Sequence, residues 1–211
     1  MTVFGGNRMS DFFREKRPYV TIALAAVNLL VFLALEVLGS TEDVNFMFAH
    51  GALFGESVRA DGEYYRLFTS MFLHYGAAHL MNNLLMLYVI GDRLEEVIGH
   101  VKLLLIYLLG GVFANVFTVY IYEMLGINAV SAGASGAIFA LMGAMLGCMA
   151  RARSGLMGIG WQRMLLLVGL SVYSGFASPE TNNAAHLSGL VFGFLMGVLL
   201  YSRKKAVKNQ W

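Results

Sequence analysis

The residues of this 211-residue chain that could do chemistry are a serine, two histidines and an asparagine, all set in apolar sequence. Ser135 could act as a nucleophile, because a serine hydroxyl becomes reactive when a neighbouring base takes its proton. His186 could be that base, since a neutral imidazole accepts a proton near neutral pH. His79 and Asn83 are four residues apart, so on a helix they share one face and could both donate to an oxyanion.

The predicted site also includes a backbone donor and lacks an acidic partner for His186. Ser135 is expected at a helix N-terminus, where its own N–H would add a third oxyanion donor. The only acidic residue near His186 in sequence is Glu180, in a loop, so a Ser–His dyad is favoured over a triad. His74 and His79 are five apart with no nearby carboxylate and no H-E-x-x-H pattern, so a metal site is not expected.

The composition tells what kind of protein must position these groups. Hydrophobic residues make up 58% of the chain, there are 24 glycines, and charged residues are only 13%. Soluble domains average about 25% charged residues, so this is expected to be an integral membrane protein. A disordered chain, a cytosolic enzyme and, with one cysteine, a disulfide scaffold are excluded. The net charge of +2 gives no reason to expect a nucleic-acid partner.

Apolar stretches of the length needed to cross about 30 Å of hydrocarbon predict an all-α bundle of six transmembrane helices. Their predicted bounds are Val20–Gly39, Leu67–Gly91, Val101–Met124, Ser135 to just before Arg151, Met164–Ala177 and Ala184–Tyr201. With the N-terminus in the cytoplasm, 13 of the 15 basic residues lie inside, which places both termini there. The predicted organisation is a cytoplasmic segment over 1–19, a membrane domain over 20–202 and a basic cytoplasmic tail over 203–211.

The chemically interesting residues are predicted to lie at one depth. From the helix rise, Ser135 is roughly 24 Å and His186 roughly 26 Å above the inner ends of their helices. His79 is at most roughly 30 Å above the end of its helix, expected at Gly99. Any one of these residues alone could simply form a hydrogen bond that holds two helices together. Their convergence just below the outer surface, on three helices, favours a site.

Two stripes of small residues predict that the helices bearing Ser135 and His186 touch. Such stripes let helix backbones approach closely in a membrane. The stripe on the fourth predicted helix is Gly136, Ala140, Ala144 and Gly147, and that on the sixth is Ala185, Gly189, Gly193 and Gly197. If these stripes face each other, the serine and the histidine meet.

With these motifs in order, the sequence resembles the rhomboid family of intramembrane serine proteases from about Glu63 to Tyr201. The matching motifs are His79-x-x-x-Asn83 with His74 before it, Gly91-x-x-x-Glu95, Gly133-x-Ser135-Gly136, and Ala185-His186-x-x-Gly189. Two positions depart from the family pattern. Tyr65 precedes Arg66 where the family has Trp, and Glu63 is expected to pair with Arg66. Phe139 replaces a Tyr that stacks on the catalytic histidine, which keeps the ring face and loses the hydroxyl.

The resemblance implies a six-helix rhomboid bundle in a bacterial plasma membrane, cleaving transmembrane protein substrates from an outward-open, water-filled cavity in the lipid bilayer, without a cofactor. It implies Ser135 as nucleophile and His186 as base, with His79, Asn83 and the Ser135 N–H forming the oxyanion hole. Together, the motifs, the small-residue stripes and the expected Glu63–Arg66 pair predict supporting roles for Gly133, Gly136, Phe139, Gly189, Gly193, Glu63, Arg66 and Glu95.

Two other functions stay open at this point. A rhomboid-fold protein can bind membrane proteins without cutting them, although such relatives usually lack the serine or the histidine. A small transporter would need polar residues along a whole path, whereas here they cluster at one end.

Overall fold

The computed structural model describes residues 17–156, 158–178 and 181–202. Most of the predicted N-terminal segment, residues 1–16, lies outside the described residues. So do the predicted tail, residues 203–211, and the loop residue Glu180.

The described part of the chain is mostly helical, and each predicted apolar stretch overlaps one long helix. These long helices are α1 (Tyr19–Leu38), α5 (Gly76–Ile98), α6 (His100–Leu125), α7 (Ser135–Ala152), α8 (Trp161–Ala177) and α9 (Asn183–Leu200). Between α1 and α5 lie three short helices, α2 (Val44–Ala49), α3 (Gly55–Arg59) and α4 (Arg66–Thr69), followed by a 3₁₀ turn at Ser70–Phe72. The short strand β1 (Leu53–Phe54) pairs antiparallel with β2 (Val130–Ser131).

Four of the long helices, α1, α6, α7 and α9, are long and apolar enough by themselves to cross a membrane. Helix α8 has 17 residues, and α5 mixes His79, Asn82 and Asn83 with a charged final turn and a half. The structure therefore gives an all-helical, multi-pass membrane protein with four clear spans. The count of six spans stays a prediction.

The predicted start of the second span is wrong. Leu67–Tyr75 forms the end of α4, the 3₁₀ turn and an extended stretch, and α5 begins only at Gly76 and runs on to Ile98. The apolar run looked helical, but Leu73 has β-type dihedrals and Gly76 has φ +68°, which breaks the helix between α4 and α5. The predicted end at Gly99 is confirmed, since that residue, at φ +88°, caps α5.

Helix α7 is the centre of the bundle, with 14 of its 18 residues buried. Its stripe of small residues packs directly on that of α9. A Cβ added to Gly189 would meet the carbonyl oxygen of Gly136, and one added to Gly193 would meet that of Ala140. The two backbones touch without intervening side chains, as the small-residue pattern predicts.

The far end of α5 is joined to the start of α1 through Glu95. Its buried carboxylate accepts hydrogen bonds from the Val20 and Thr21 backbone N–H groups at 2.9 and 2.8 Å, from the Thr21 hydroxyl at 2.6 Å, and from His100. Gly91 lies against Thr21, where a Cβ would sit 2.7 Å from the hydroxyl oxygen. A carboxylate at a helix N-terminus satisfies N–H groups that otherwise lack partners.

Candidate active site

Ser135 and His186 are in direct contact. Ser135 is the first residue of α7 and His186 the fourth of α9, and Ser135 Oγ lies 2.9 Å from His186 Nε2, a normal hydrogen-bond distance. His186 is only 8% exposed, whereas Ser135 is partly open to the surroundings. The serine hydroxyl can thus give its proton to the imidazole while still facing an incoming substrate.

The imidazole of His186 is held by packing on one face. The Phe139 ring, one turn after Ser135, stacks on it with centroids 4.2 Å apart and planes 12° apart. The other ring nitrogen, Nδ1, is buried and has no hydrogen-bond partner in the described part of the chain. It faces Gly175 of α8, whose added Cβ would lie 3.2 Å away.

The loop before the serine is fixed from three directions. Its strand β2 pairs with β1, the Gly133 N–H donates to Ser70 O at 2.9 Å, and the Ala134 N–H donates to His74 Nε2 at 3.3 Å. Gly133 has φ +145°, and a Cβ there would lie 2.9 Å from the His79 ring. The backbone conformation favours glycine at this position, and a side chain there would also displace the His79 ring.

His79 and Asn83 lie on one face of α5 beside this loop. The position of a Gly133 Cβ would be 3.0 Å from His79 Nε2 and 3.7 Å from Ser135 Oγ, so the three groups border one small space. Asn83 is 8% exposed, and its buried Nδ2 has no hydrogen-bond partner among the residues described. A buried donor without a partner is uncommon in folded proteins, and here it stands one turn from His79.

The loop between α1 and α5 is organised around Arg66, which is 3% exposed. Its guanidinium donates to Glu63 at 2.6 Å and to the carbonyls of Phe48 and Ala52 at 2.6 and 2.8 Å, and it lies over the Phe48 and Tyr65 rings. The hydrogen bond from Arg66 lowers the pKa of Glu63 below its usual value. Ala52 directly precedes β1, so the contacts of Arg66 hold in place the strand that pairs with β2.

The structure thus places the sequence-predicted residues at several locations. Those at or beside the Ser135–His186 contact are Gly133, Ser135, Gly136, Phe139, His79, His186 and Gly189. Gly193 lies one turn further along α9, and Glu63 with Arg66 lies between α1 and α5. Asn83 lies one turn from His79 on α5. Glu95 is not brought to the site, since it lies roughly 24 Å from His79 along α5.

Two amides inside the long helices were missed by the sequence analysis, which singled out only Asn83. Asn115 of α6 donates to Leu67 O and to Ser70 Oγ, both at 2.9 Å. Asn28 of α1 donates to Leu24 O at 2.7 Å and to the Tyr107 hydroxyl at 3.2 Å. The sequence signal for both residues was an amide side chain inside an apolar stretch, because burying an amide in a membrane span is costly unless it is hydrogen-bonded.

Comparison with known proteins gives one consistent family. A family model described as the Rhomboid domain matches residues 61–203. Rhomboid protease GlpG of Haemophilus influenzae is 30% identical over 193 residues, covering 89% of this chain and 93% of the relative. Putative rhomboid protease YdcA of Bacillus subtilis is 37% identical over 147 residues, covering 69% and 72%.

A third relative is much longer than this chain. Rhomboid protease GluP of Bacillus subtilis is 32% identical over 188 residues, which are 89% of this chain but 36% of the relative. The chain therefore spans about a third of GluP and most of GlpG.

Proposed function

The chain belongs to the rhomboid family, and from this membership we propose that it is an intramembrane serine endopeptidase. Its substrates are membrane proteins, which it cleaves in or near a transmembrane segment. The observation that carries this proposal is the 2.9 Å hydrogen bond between Ser135 Oγ and His186 Nε2, formed between the first turns of two apolar helices.

The proposed setting is a cell membrane crossed six times, with α5 and α8 joining the four clear spans and with both termini in the cytoplasm. The distribution of basic residues supports this orientation. Ser135 and His186 both lie in the first turns of their helices. Arg151 lies in the last turn of α7, and in the sequence Arg203 follows α9. The active site then opens toward the extracytoplasmic side, where water can reach it.

The first chemical step is acylation of Ser135. As Oγ attacks the scissile carbonyl carbon, its proton passes to His186 Nε2, and a tetrahedral intermediate forms. The carbonyl π-bond pair moves onto oxygen. When the intermediate collapses, the C–N bond breaks and the imidazolium gives its proton to the leaving amine. The product is an ester between Ser135 and the N-terminal part of the substrate.

The negative oxygen of the intermediate needs donors that are in place beforehand. His79 borders the space above Gly133 and Ser135, and the buried Asn83 Nδ2 has no other partner among the described residues. The backbone N–H of Ser135, in the first turn of α7, is a further donor aided by the helix dipole. We propose that these three groups form the oxyanion hole.

Deacylation repeats the chemistry with water. His186 takes a proton from a water molecule, whose oxygen attacks the ester carbon, and the proton returns to Ser135 Oγ as the ester C–O bond breaks. Within the described part of the chain, His186 Nδ1 has no acidic partner. Stacking on Phe139 then takes over the orienting role that a third residue has in a triad.

Labelling with a fluorophosphonate probe, combined with cleavage of a membrane-protein substrate, tests the proposal. The wild type should be labelled and active, and Ser135→Ala and His186→Ala should lose cleavage while keeping the melting temperature. Ser171→Ala is the matched control, because among the described residues the Ser171 hydroxyl has one partner, Leu167 O on α8. Normal cleavage by Ser135→Ala would disprove the dyad. A folded wild type that binds membrane proteins but is neither labelled nor active would favour the binding alternative.

A further inference from the structure

The hydrogen bonds of Asn182 link the two halves of the dyad, and we propose that Asn182 is a positioning residue for the reaction. Its side-chain amide bonds at once to the helix that carries His186 and to the strand that leads to Ser135. This inference rests on the proposed function, since it concerns the geometry of the same site.

The oxygen of the Asn182 side chain caps helix α9. Oδ1 accepts a hydrogen bond from the Ala185 N–H at 2.9 Å, and the Asn182 backbone carbonyl accepts one from the His186 N–H at 3.2 Å. Asn182 thereby fixes the first turn of α9, from which the His186 side chain projects. Asparagine is among the preferred residues at an N-cap for this reason.

The nitrogen of the same side chain reaches the nucleophile's strand. Nδ2 donates to Ser131 Oγ at 3.0 Å, and Ser131 is the last residue of β2, four positions before Ser135. Oδ1 also lies 3.2 Å from the hydroxyl of Thr118 on α6, whose single proton is shared with Ala114 O at 2.9 Å. One amide group therefore joins α9, β2 and α6.

The amide of Asn182 supplies both halves of this link at once. The capping contact needs an acceptor, and the contact to Ser131 is made by the N–H₂ group. A shorter hydroxyl side chain keeps the cap and loses the reach to Ser131. Because a misplacement of about 1 Å at the reacting atoms can cost about 10²-fold in rate, a loosened β2 is expected to slow the chemistry without altering substrate binding.

Three variants test this positioning role. Asn182→Ser keeps a capping oxygen, so we expect an unchanged melting temperature, an unchanged KM and a kcat about tenfold lower. The rate of fluorophosphonate labelling should fall by the same factor. Ser131→Ala removes the partner from the other side and should show the same tenfold loss. Since both variants break the same hydrogen bond, between Asn182 and Ser131, the double variant should be no slower than either single variant.

The neighbouring amide provides the matched control. Asn183 Nδ2 donates to Gly175 O on α8 and has no bond to β2. If Asn183→Ser lowers kcat, its factor should therefore multiply with that of Ser131→Ala in the double variant.

Two results would overturn the positioning role: a wild-type kcat in Asn182→Ser or Ser131→Ala, or losses in these two variants that multiply. If Asn182→Ser fails to fold, Ser131→Ala alone decides the question by its kcat and labelling rate. A folded wild type without labelling or cleavage would instead refute the proposed function, so the two failures are distinguishable.

Discussion

The backbone contact between α7 and α9 predicts what a single methyl group would do at Gly193. A Cβ there would overlap the Ala140 carbonyl oxygen and lie 2.5 and 2.7 Å from Ala140 C and Cα, where ordinary contact begins at 3.4 Å. Since the obstacle is backbone, no side chain can rotate away. For Gly193→Ala to fold, α9 must move about 1 Å away from α7, which forfeits much of the packing between them.

This movement of α9 is expected to lower the stability of the protein and, more strongly, its kcat. Overpacking of this kind typically costs about 1–3 kcal/mol, and each kcal/mol corresponds to about 2–4 °C in melting temperature for a chain of this length. The Ser135–His186 hydrogen bond is 2.9 Å long and would be lost after a 1 Å separation. We therefore expect a melting temperature lower by about 2–12 °C and a kcat lower by about 10²-fold.

A positional series makes the prediction sharper. Added methyl groups at Gly189 and Gly197 would meet the carbonyls of Gly136 and Ala144, so both Gly→Ala variants should lose similar stability. Gly189 lies one turn from His186 and Gly197 three turns from it, so the loss of kcat should decrease from Gly189→Ala to Gly197→Ala.

Thermal melting in detergent and kcat on the same samples measure both effects. Gly169→Ala on α8 is the matched control, because a Cβ there has no neighbour within 4 Å, and it should be neutral or slightly stabilising. If Gly193→Ala behaves like Gly169→Ala in both measurements, the close approach of α7 and α9 does not position the dyad.

Three further predictions concern side chains around the site. His79→Ala and Asn83→Ala should each lower kcat by about 10²–10³-fold with little change in KM. A fall in melting temperature with normal activity per folded molecule would instead show that the two residues only hold helices together. Phe139→Tyr should keep the activity and Phe139→Leu should lower kcat, because only a ring stacks on His186; equal rates would refute the orienting role. Arg66→Lys should lower the melting temperature more than Glu63→Gln, since Arg66 also holds two carbonyls, and the opposite order would show that the ion pair dominates.

The sequence was informative where one physical cause dominates a pattern. Long apolar runs predict the long helices because the hydrocarbon core excludes polar groups over its whole thickness. Small residues at every fourth position on α9 predict its contact with α7, since only backbone-to-backbone packing needs them there. Ser135 and His186 stand at the starts of these two helices, so their meeting follows from the same pattern.

The region between α1 and α5 could not be predicted in the same way. Its apolar residues, such as those of Leu67–Leu73, bury side chains in a turn and an extended stretch as well as they would in a helix. Its shape depends on hydrogen bonds between distant residues, for example Arg66 to the Phe48 carbonyl and Gly133 to the Ser70 carbonyl. A periodic pattern in the sequence does not encode contacts of this kind.

Two different kinds of force therefore set the distance between Ser135 and His186, and they should respond differently to mutation. Helices α7 and α9 are held by close packing along their whole length, so the glycine variants should lower melting temperature and kcat together. The loop before Ser135 is held by single hydrogen bonds: its N–H groups donate to Ser70 O and His74 Nε2, and Asn182 donates to Ser131. Each of these bonds contributes little to overall stability. Loss of the Asn182–Ser131 bond should consequently slow the reaction while leaving the melting temperature unchanged, and this contrast separates a positioning contact from a packing contact.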